Sequence, residues 1–207
     1  MLRFSCTFII ILVCAAFFLH AQPRQVNTYT VADGLAQSQV YAVLADSRGY
    51  IWAGTQGGGL SRFDGATFQT YSDIQGLAGN YVQCLWEDKQ GRLWIGTELG
   101  LSIFDGATFQ NEFPGKKVLA VAQNETGYWV LTETEIYRGQ PGNWQGLDWP
   151  KSYMRPYGLI AEEDRIILGT DRGAWAWTEK RKTWTELRAN YSATHQIWAL
   201  YRYQRAQ

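Results

Sequence analysis

The chain has 207 residues, enough for a sizeable hydrophobic core, and a formal net charge of zero from 19 basic and 19 acidic residues. The charges are scattered singly, which excludes the basic stripe or patch of a nucleic-acid binder. Ten tryptophans and 21 glycines against five prolines favour short strands joined by tight turns.

Residues 1–21, "MLRFSCTFIIILVCAAFFLHA", place Arg3 before an apolar run from Phe8 to Leu19 and end on the small Ala21. That is the order of a secretory signal peptide. The alternative, an uncleaved anchor, needs about 20 apolar residues, more than this run offers. No other stretch is long and apolar enough to span a bilayer. A lipoprotein site at Cys14 is disfavoured by Val13 before it. Cys6 and Cys14 leave with the signal, so the mature chain keeps Cys84, in the apolar run "YVQCLWE", where it reads as a small core residue. The expected location is outside the cytoplasm, in the periplasm or on the outer face of the cell envelope.

From residue 22 the chain is periodic. "YTVADGLAQSQVYAVLADSRGYIWAGTQGGGLSRFDGATFQT" (29–70) aligns with "YSDIQGLAGNYVQCLWEDKQGRLWIGTELGLSIFDGATFQN" (71–111), and the heptapeptide "FDGATFQ" recurs unchanged at 63–69 and 104–110. Weaker copies occupy 112–146, around Gly127 and Trp129, and 147–187, around "ILGTDRGAWAW". A fifth copy starts within 188–207 at "HQIWALYRY". Each copy predicts four strands. The first is Val40–Ala45 or Val82–Glu87, followed by a turn at "DSRG" or "DKQG". "YIWAGT" or "RLWIGT" forms the second strand, "LSRF" or "LSIF" the third, and "TFQTY" or "TFQNE" the fourth. Four short strands in about 42 residues make one blade of an all-β propeller of antiparallel blades.

The Trp of each W-x-G-T is expected to pack between blades, the alternative being a platform for a sugar ring. Gly54 and Gly96 are expected to admit a close neighbour. Asp-Gly in the heptapeptide reads as a tight hairpin turn; its other reading is a duplicated ligand site. "GGG" at 57–59 lacks the lysine and the strand-to-helix setting of a phosphate loop and reads as a flexible loop. Residues 22–207 supply about four and a half blades, and a ring needs roughly 4–8. Val26–Thr30 aligns with the fourth strand that ends at Tyr71, so it is expected to act as an outer strand completing the last blade of a closed ring. The chain is then the first part of a longer protein; the alternative is a self-sufficient four-bladed ring.

The pattern Y-x-x-x-D-G-L…V-Y-x-x-x-x-D-S-x-G-Y-I-W-x-G-T-x-G-G-G-L-S-R-F-D-G resembles the two-component regulator propeller repeat, closely over 29–111, loosely over 112–187 and only as a start over 188–207. The resemblance implies the periplasmic sensor region of a hybrid two-component system of the Bacteroidetes type. In that family two seven-bladed propellers precede a further β-domain, a membrane helix and a histidine kinase, often with a receiver and a DNA-binding domain. Many members sense oligosaccharides. The repeat motif is scaffold, so the resemblance supplies no ligand contacts.

Catalytic chemistry finds little material here. The mature chain has one histidine, His195, too little for a nucleophile–base pair, and with Cys84 alone no transition-metal set is expected. Glu162, Glu163 and Asp164, like Glu87 and Asp88, read as solvated turns. Asp46-x-x-Gly49-x-x-Trp52 partly resembles the hairpin of sialidase blades, a structural element there. "NET" (124–126) and "NYS" (190–192) fit a glycosylation pattern. The expectation is a non-enzymatic, cofactor-free sensor segment that binds an extracellular ligand such as an oligosaccharide and pairs with further blades of its own protein. A scaffold for protein partners in the envelope is the alternative. No catalytic, metal or ligand-binding residue is assigned.

Overall fold

The computed structural model describes residues 26–148 and 154–187. The signal-peptide segment, Cys6, Cys14, His195, "NYS" and the incomplete fifth copy lie outside the described residues.

Sixteen strands form four antiparallel sheets of four, each a meander in chain order. Blade 1 holds β1 (Val40–Ala45), β2 (Ile51–Thr55), β3 (Leu60–Phe63) and β4 (Phe68–Tyr71). Blade 2 holds β5 (Val82–Glu87), β6 (Leu93–Thr97), β7 (Leu101–Phe104) and β8 (Phe109–Glu112). Blade 3 holds β9 (Val118–Asn124), β10 (Gly127–Thr132), β11 (Ile136–Gln140) and β12 (Asn143–Leu147). Blade 4 holds β13 (Pro156–Ala161), β14 (Arg165–Thr170), β15 (Gly173–Thr178) and β16 (Thr183–Leu187). The innermost strands β1, β5, β9 and β13 touch in succession, so the blades stack face to face around one side. The all-β propeller architecture read from the sequence is the one observed.

The core lies between blades. Trp52, Leu60 and Tyr71 of blade 1 pack on Val82, Leu93, Ile95 and Phe104 of blade 2. Trp94, Leu101 and Ile103 pack on Val118, Val121, Tyr128 and Val130. Trp129, Leu131 and Ile136 pack on Leu159, Ile166, Leu168, Trp175 and Trp177. Trp52, Trp94 and Trp129 are fully buried, which decides their role: they are wedges between blades and offer no platform to a sugar. Gly54 and Gly96 stand where the next blade comes closest. A Cβ on Gly54 would lie 2.4 Å from Val82 Cγ1; one on Gly96 would lie 2.9 Å from Val118 Cγ1 of the next blade and 2.5 Å from Cys84 Sγ of its own. Burial pushes the Cys84 thiol up to about 12.

The turn acid shared by the first two repeats has a definite task. Asp46 Oδ1 accepts from the N–H groups of Arg48 (3.0 Å) and Tyr50 (2.9 Å), while Oδ2 accepts the Trp52 indole N–H at 2.8 Å. Asp88 does the same for Gln90, Arg92 and Trp94, and its Oδ2 also takes the Arg92 Nε–H at 2.7 Å. In blade 3 the acceptor is Asn124, holding Thr126 and the Trp129 indole. One side chain thus closes the hairpin and satisfies a buried indole.

This corrects one expectation and leaves another standing. Glu87 and Asp88 are no solvated pair. Glu87 accepts the backbone N–H (2.8 Å) and hydroxyl (2.7 Å) of Ser47 in the preceding blade, and Asp88 is buried. Glu162, Glu163 and Asp164 do form a turn between β13 and β14, with Glu162 paired to Arg165 at 2.6 Å. The Asn124 amide is fully engaged, its Nδ2 donating to the Glu162 carbonyl at 3.0 Å, so it serves the hairpin.

The heptapeptide is a hairpin turn twice over. Phe63 pairs with Phe68 and Phe104 with Phe109. Asp64 Oδ1 accepts from Ala66 (2.8 Å) and Thr67 (2.7 Å), and Asp105 repeats this with Ala107 and Thr108. Gly65 and Gly106 take φ of 101° and 106°, a region closed to most side chains. The Asp is consumed by its own backbone, which accounts for its recurrence without a ligand.

Candidate functional site

Each inner strand carries a β-bulge at the same place. The register breaks between Val40 and Ala42, Val82 and Cys84, Val118 and Ala120, and Pro156 and Gly158. The extra residue is Tyr41, Gln83, Leu119 or Tyr157. A bulge lifts one side chain out of the pleat and re-aims it. Leu119 returns to the core between blades 3 and 4. Tyr41 and Gln83 instead line an open groove of about 1020 Å³, together with Gln56, Tyr81, Glu98 and Lys117.

Two further positions per blade build the groove's rim. The residue after the second strand donates its N–H to the carbonyl of the residue just before the first: Gln56 to Gln39 (3.0 Å), Glu98 to Tyr81 (3.1 Å), Glu133 to Lys117 (3.0 Å) and Asp171 to Arg155 (3.0 Å). In blade 2 the side chain reinforces this, Glu98 Oε2 accepting the Tyr81 N–H at 2.8 Å. Blades 1 and 2 are tied at the rim by a bridge between Gln56 and Tyr81. The "GGG" segment belongs to this tie. Gly57 and Gly59 both donate to the Asn80 carbonyl, at 3.1 and 2.9 Å. A Cβ on Gly58 would sit 2.9 Å from the Ala36 carbonyl oxygen. The segment expected to be a flexible loop is therefore pinned on both sides.

The chemistry offered is that of recognition. Tyr41 and Tyr81 are 53% and 45% exposed, presenting ring faces and phenol groups. Gln56 Oε1 is buried and has no hydrogen-bond donor among the described residues, a costly state. Lys117 forms no ion pair among the described residues. Among the described residues no group of three His, Cys, Asp or Glu side chains converges as for a metal ion.

None of these six residues was assigned from the sequence. The available signal was internal: Tyr41 and Gln83 differ between two repeats that agree at the flanking Val40 and Val82. Scaffold positions repeat, and a position released from packing drifts.

Residues 34–57 and 76–98 match the family model described as Two component regulator propeller. The chain carries two component regulator propeller repeats. The matched segments run from Gly34 and Gly76, which end the single helical turns Val31–Asp33 and Asp73–Gln75, to the rim residues Gln56-Gly57 and Glu98, so the repeat contains the bulge and the W-x-G-T strand. No curated protein matches the chain in sequence.

Among solved structures, the propeller is similar to the extracellular domain of a protein assigned as a hybrid two component system, BT3049 from B. thetaiotaomicron. The TM-score is 0.68 at 20% identity, over 80% of this chain and 27% of that one. PorZ, a surface component of the type-IX secretion system of Porphyromonas gingivalis, gives 0.66 at 16% identity, over 84% of this chain and 25% of that one. Virginiamycin B lyase from Staphylococcus aureus gives 0.66 at 16% identity, over 82% of this chain and 61% of that one. The chain spans about a quarter of BT3049 and of PorZ. At these identities the likeness is one of fold, and the fold serves sensors, secretion components and enzymes alike. Among the described residues no helix is long and apolar enough to cross a membrane.

Proposed function

We propose that this chain is a segment of an exported sensor propeller in two-component signalling, and that it takes an extracellular ligand, with glycans the first class to test, in the groove between the inner strands of blades 1 and 2. The observation that carries this is the bulge that turns Tyr41 and Gln83 out of the sheet into one groove with Tyr81, Glu98 and Lys117. Exposed phenol rings with amide and carboxylate acceptors suit a hydroxyl-rich ligand, which stacks on one kind of group and donates to the other. The propeller repeats and the extracellular neighbours support the sensor role.

The test is a glycan array followed by calorimetry on the gene product. A binding glycan whose affinity falls at least about tenfold, or 1.4 kcal/mol, in Tyr41→Ala and Gln83→Ala fits the proposal. Binding that ignores both substitutions removes the groove from it. No binding across the array, with a stable envelope complex recovered instead, favours a scaffold.

A further inference from the structure

Two of the residues that line the groove carry charge, Glu98 and Lys117, and they are not equivalent. Glu98 is turned onto backbone. Its Oε2 accepts the Tyr81 N–H at 2.8 Å, and the carboxylate lies over Gly79, where a Cβ would stand 2.9 and 3.0 Å from its two oxygens. Blade 4 repeats the arrangement, Asp171 Oδ1 accepting the Arg155 N–H at 2.9 Å. An acid just after the second strand therefore has a scaffold task in both blades: it holds the backbone that leads into the inner strand.

Lys117 has no such task. It is half-buried and reaches the groove from blade 3. Its neighbour Lys116 is paired with Glu135. Glu133 meets Lys117 through the backbone, its N–H on the Lys117 carbonyl at 3.0 Å, and makes no ion pair with it. The ammonium has no carboxylate partner among the described residues. The counterparts of Lys117 before the other inner strands are Gln39, Tyr81 and Arg155, so blade packing does not ask for a lysine at this place. The remaining lining groups add donors: phenol O–H from Tyr41 and Tyr81, amide N–H from Gln56 and Gln83. With the carboxylate held on backbone, the uncommitted charge in the groove is positive.

We infer that the groove selects an acidic ligand, a sugar that carries a carboxylate or a sulfate, and that the Lys117 ammonium receives the acid. This rests on the groove reading proposed above and narrows it. An ammonium is a compact point charge that meets either anion without a set geometry. A charge-assisted hydrogen bond is roughly twice as strong as a neutral one, so one acidic group on the ligand is enough to decide which sugar is held.

The probes are uronate-containing and sulfated oligosaccharides, each beside its carboxyl-reduced or desulfated counterpart, titrated by calorimetry into the gene product. An acidic probe is expected to bind about tenfold or more tighter than its neutral counterpart, and the arm that binds identifies the acid. Lys117→Met keeps the aliphatic stem and removes the charge; it is expected to bring the two probes level. Lys117→Arg is expected to restore the preference. Added salt is expected to narrow the gap in the wild type and to leave Lys117→Met unmoved. A neutral counterpart that binds as tightly as the acidic probe overturns the inference, as does a Lys117→Met variant that keeps the preference. If Tyr41→Ala and Gln83→Ala still weaken binding in either case, the groove reading survives without it. Binding that ignores Tyr41→Ala and Gln83→Ala, or no binding by any probe, removes the groove and the inference together.

Discussion

Gly54→Ala tests the idea that blade spacing is set by a glycine nested against a valine. The new Cβ would lie 2.4 Å from Val82 Cγ1, 2.9 Å from Val82 Cβ and 3.5 Å from Ala42 Cβ. Carbon pairs settle at about 3.5–4.0 Å, so blades 1 and 2 must part by roughly 1 Å or Val82 must leave its place. Gly54 is not among the glycines with positive φ, so alanine brings no backbone strain. It even removes the entropic cost of glycine in a strand, about 0.5–1 kcal/mol. Overpacking costs about 1–3 kcal/mol, which dominates. Val82→Ala alone removes two methyl groups from a fully buried side chain, about 1.6 kcal/mol at roughly 0.8 per carbon. In the double variant the added methyl has room, apart from the 2.9 Å contact to the residual Cβ, so the losses must partly cancel. Urea unfolding of the four variants closes the cycle. The expected coupling is at least about 1 kcal/mol in favour of the double variant, or about 2–4 °C in Tm for a chain of this size. Additivity within about 0.5 kcal/mol would show that the Gly54–Val82 contact does not set the spacing.

Asp88→Ala strands the buried Trp94 indole and the backbone donors of the turn, at about 1–3 kcal/mol each, whereas Asp88→Asn keeps the indole bond as Asn124 does in blade 3. Equal melts for the two variants would refute this. Burial works against ionisation of Asp88, but the Trp94 indole, the Arg92 N–H and the Arg92 guanidinium outweigh it and hold the carboxyl below its ordinary 3.8. A depressed folded value stabilises above the unfolded one and is lost as pH falls through the folded one. Thermal melts are therefore expected to drop below about pH 4, with a shallower slope in Asp88→Asn. Gly59→Ala, where φ is +80° and a Cβ would lie 2.3 Å from the Tyr71 carbonyl oxygen, is expected to cost more than Gly54→Ala, since a backbone atom cannot turn aside; a wild-type melt would contradict it. Asp64→Ala, on an exposed turn, is expected to shift the melt little and to leave ligand affinity unchanged. A tenfold affinity loss would revive the reading of the heptapeptide as a ligand site.

The blades were legible because residues of blades 1 and 2 do one job twice, and blades 3 and 4 echo it loosely. Trp52 and Trp94, Gly54 and Gly96, and Phe63–Phe68 and Phe104–Phe109 recur at a fixed interval, and packing explains each. What stayed hidden falls into two kinds. Asp88 reads as solvated because it stands between two strands; only the fold brings the Trp94 indole and Arg92 onto it. The groove residues stayed hidden because no motif marks them. Tyr41 and Gln83 share a bulge, and a bulge is a register offset between strands that a single strand's sequence does not reveal. Lys117 reaches the same groove from a third blade, which only the circular stacking of inner strands provides.

The bulge also separates two kinds of inheritance in one strand. Val40 and Val82 are answerable to the neighbouring blade, and a change there is felt as lost packing. Tyr41 and Gln83, lifted from the pleat, are on the proposed function answerable to what enters the groove. On that proposal, a randomised library restricted to these two codons is expected to change what the groove accepts while leaving the framework that displays it intact, so affinity selection on such a library need not be paired with a screen for folding.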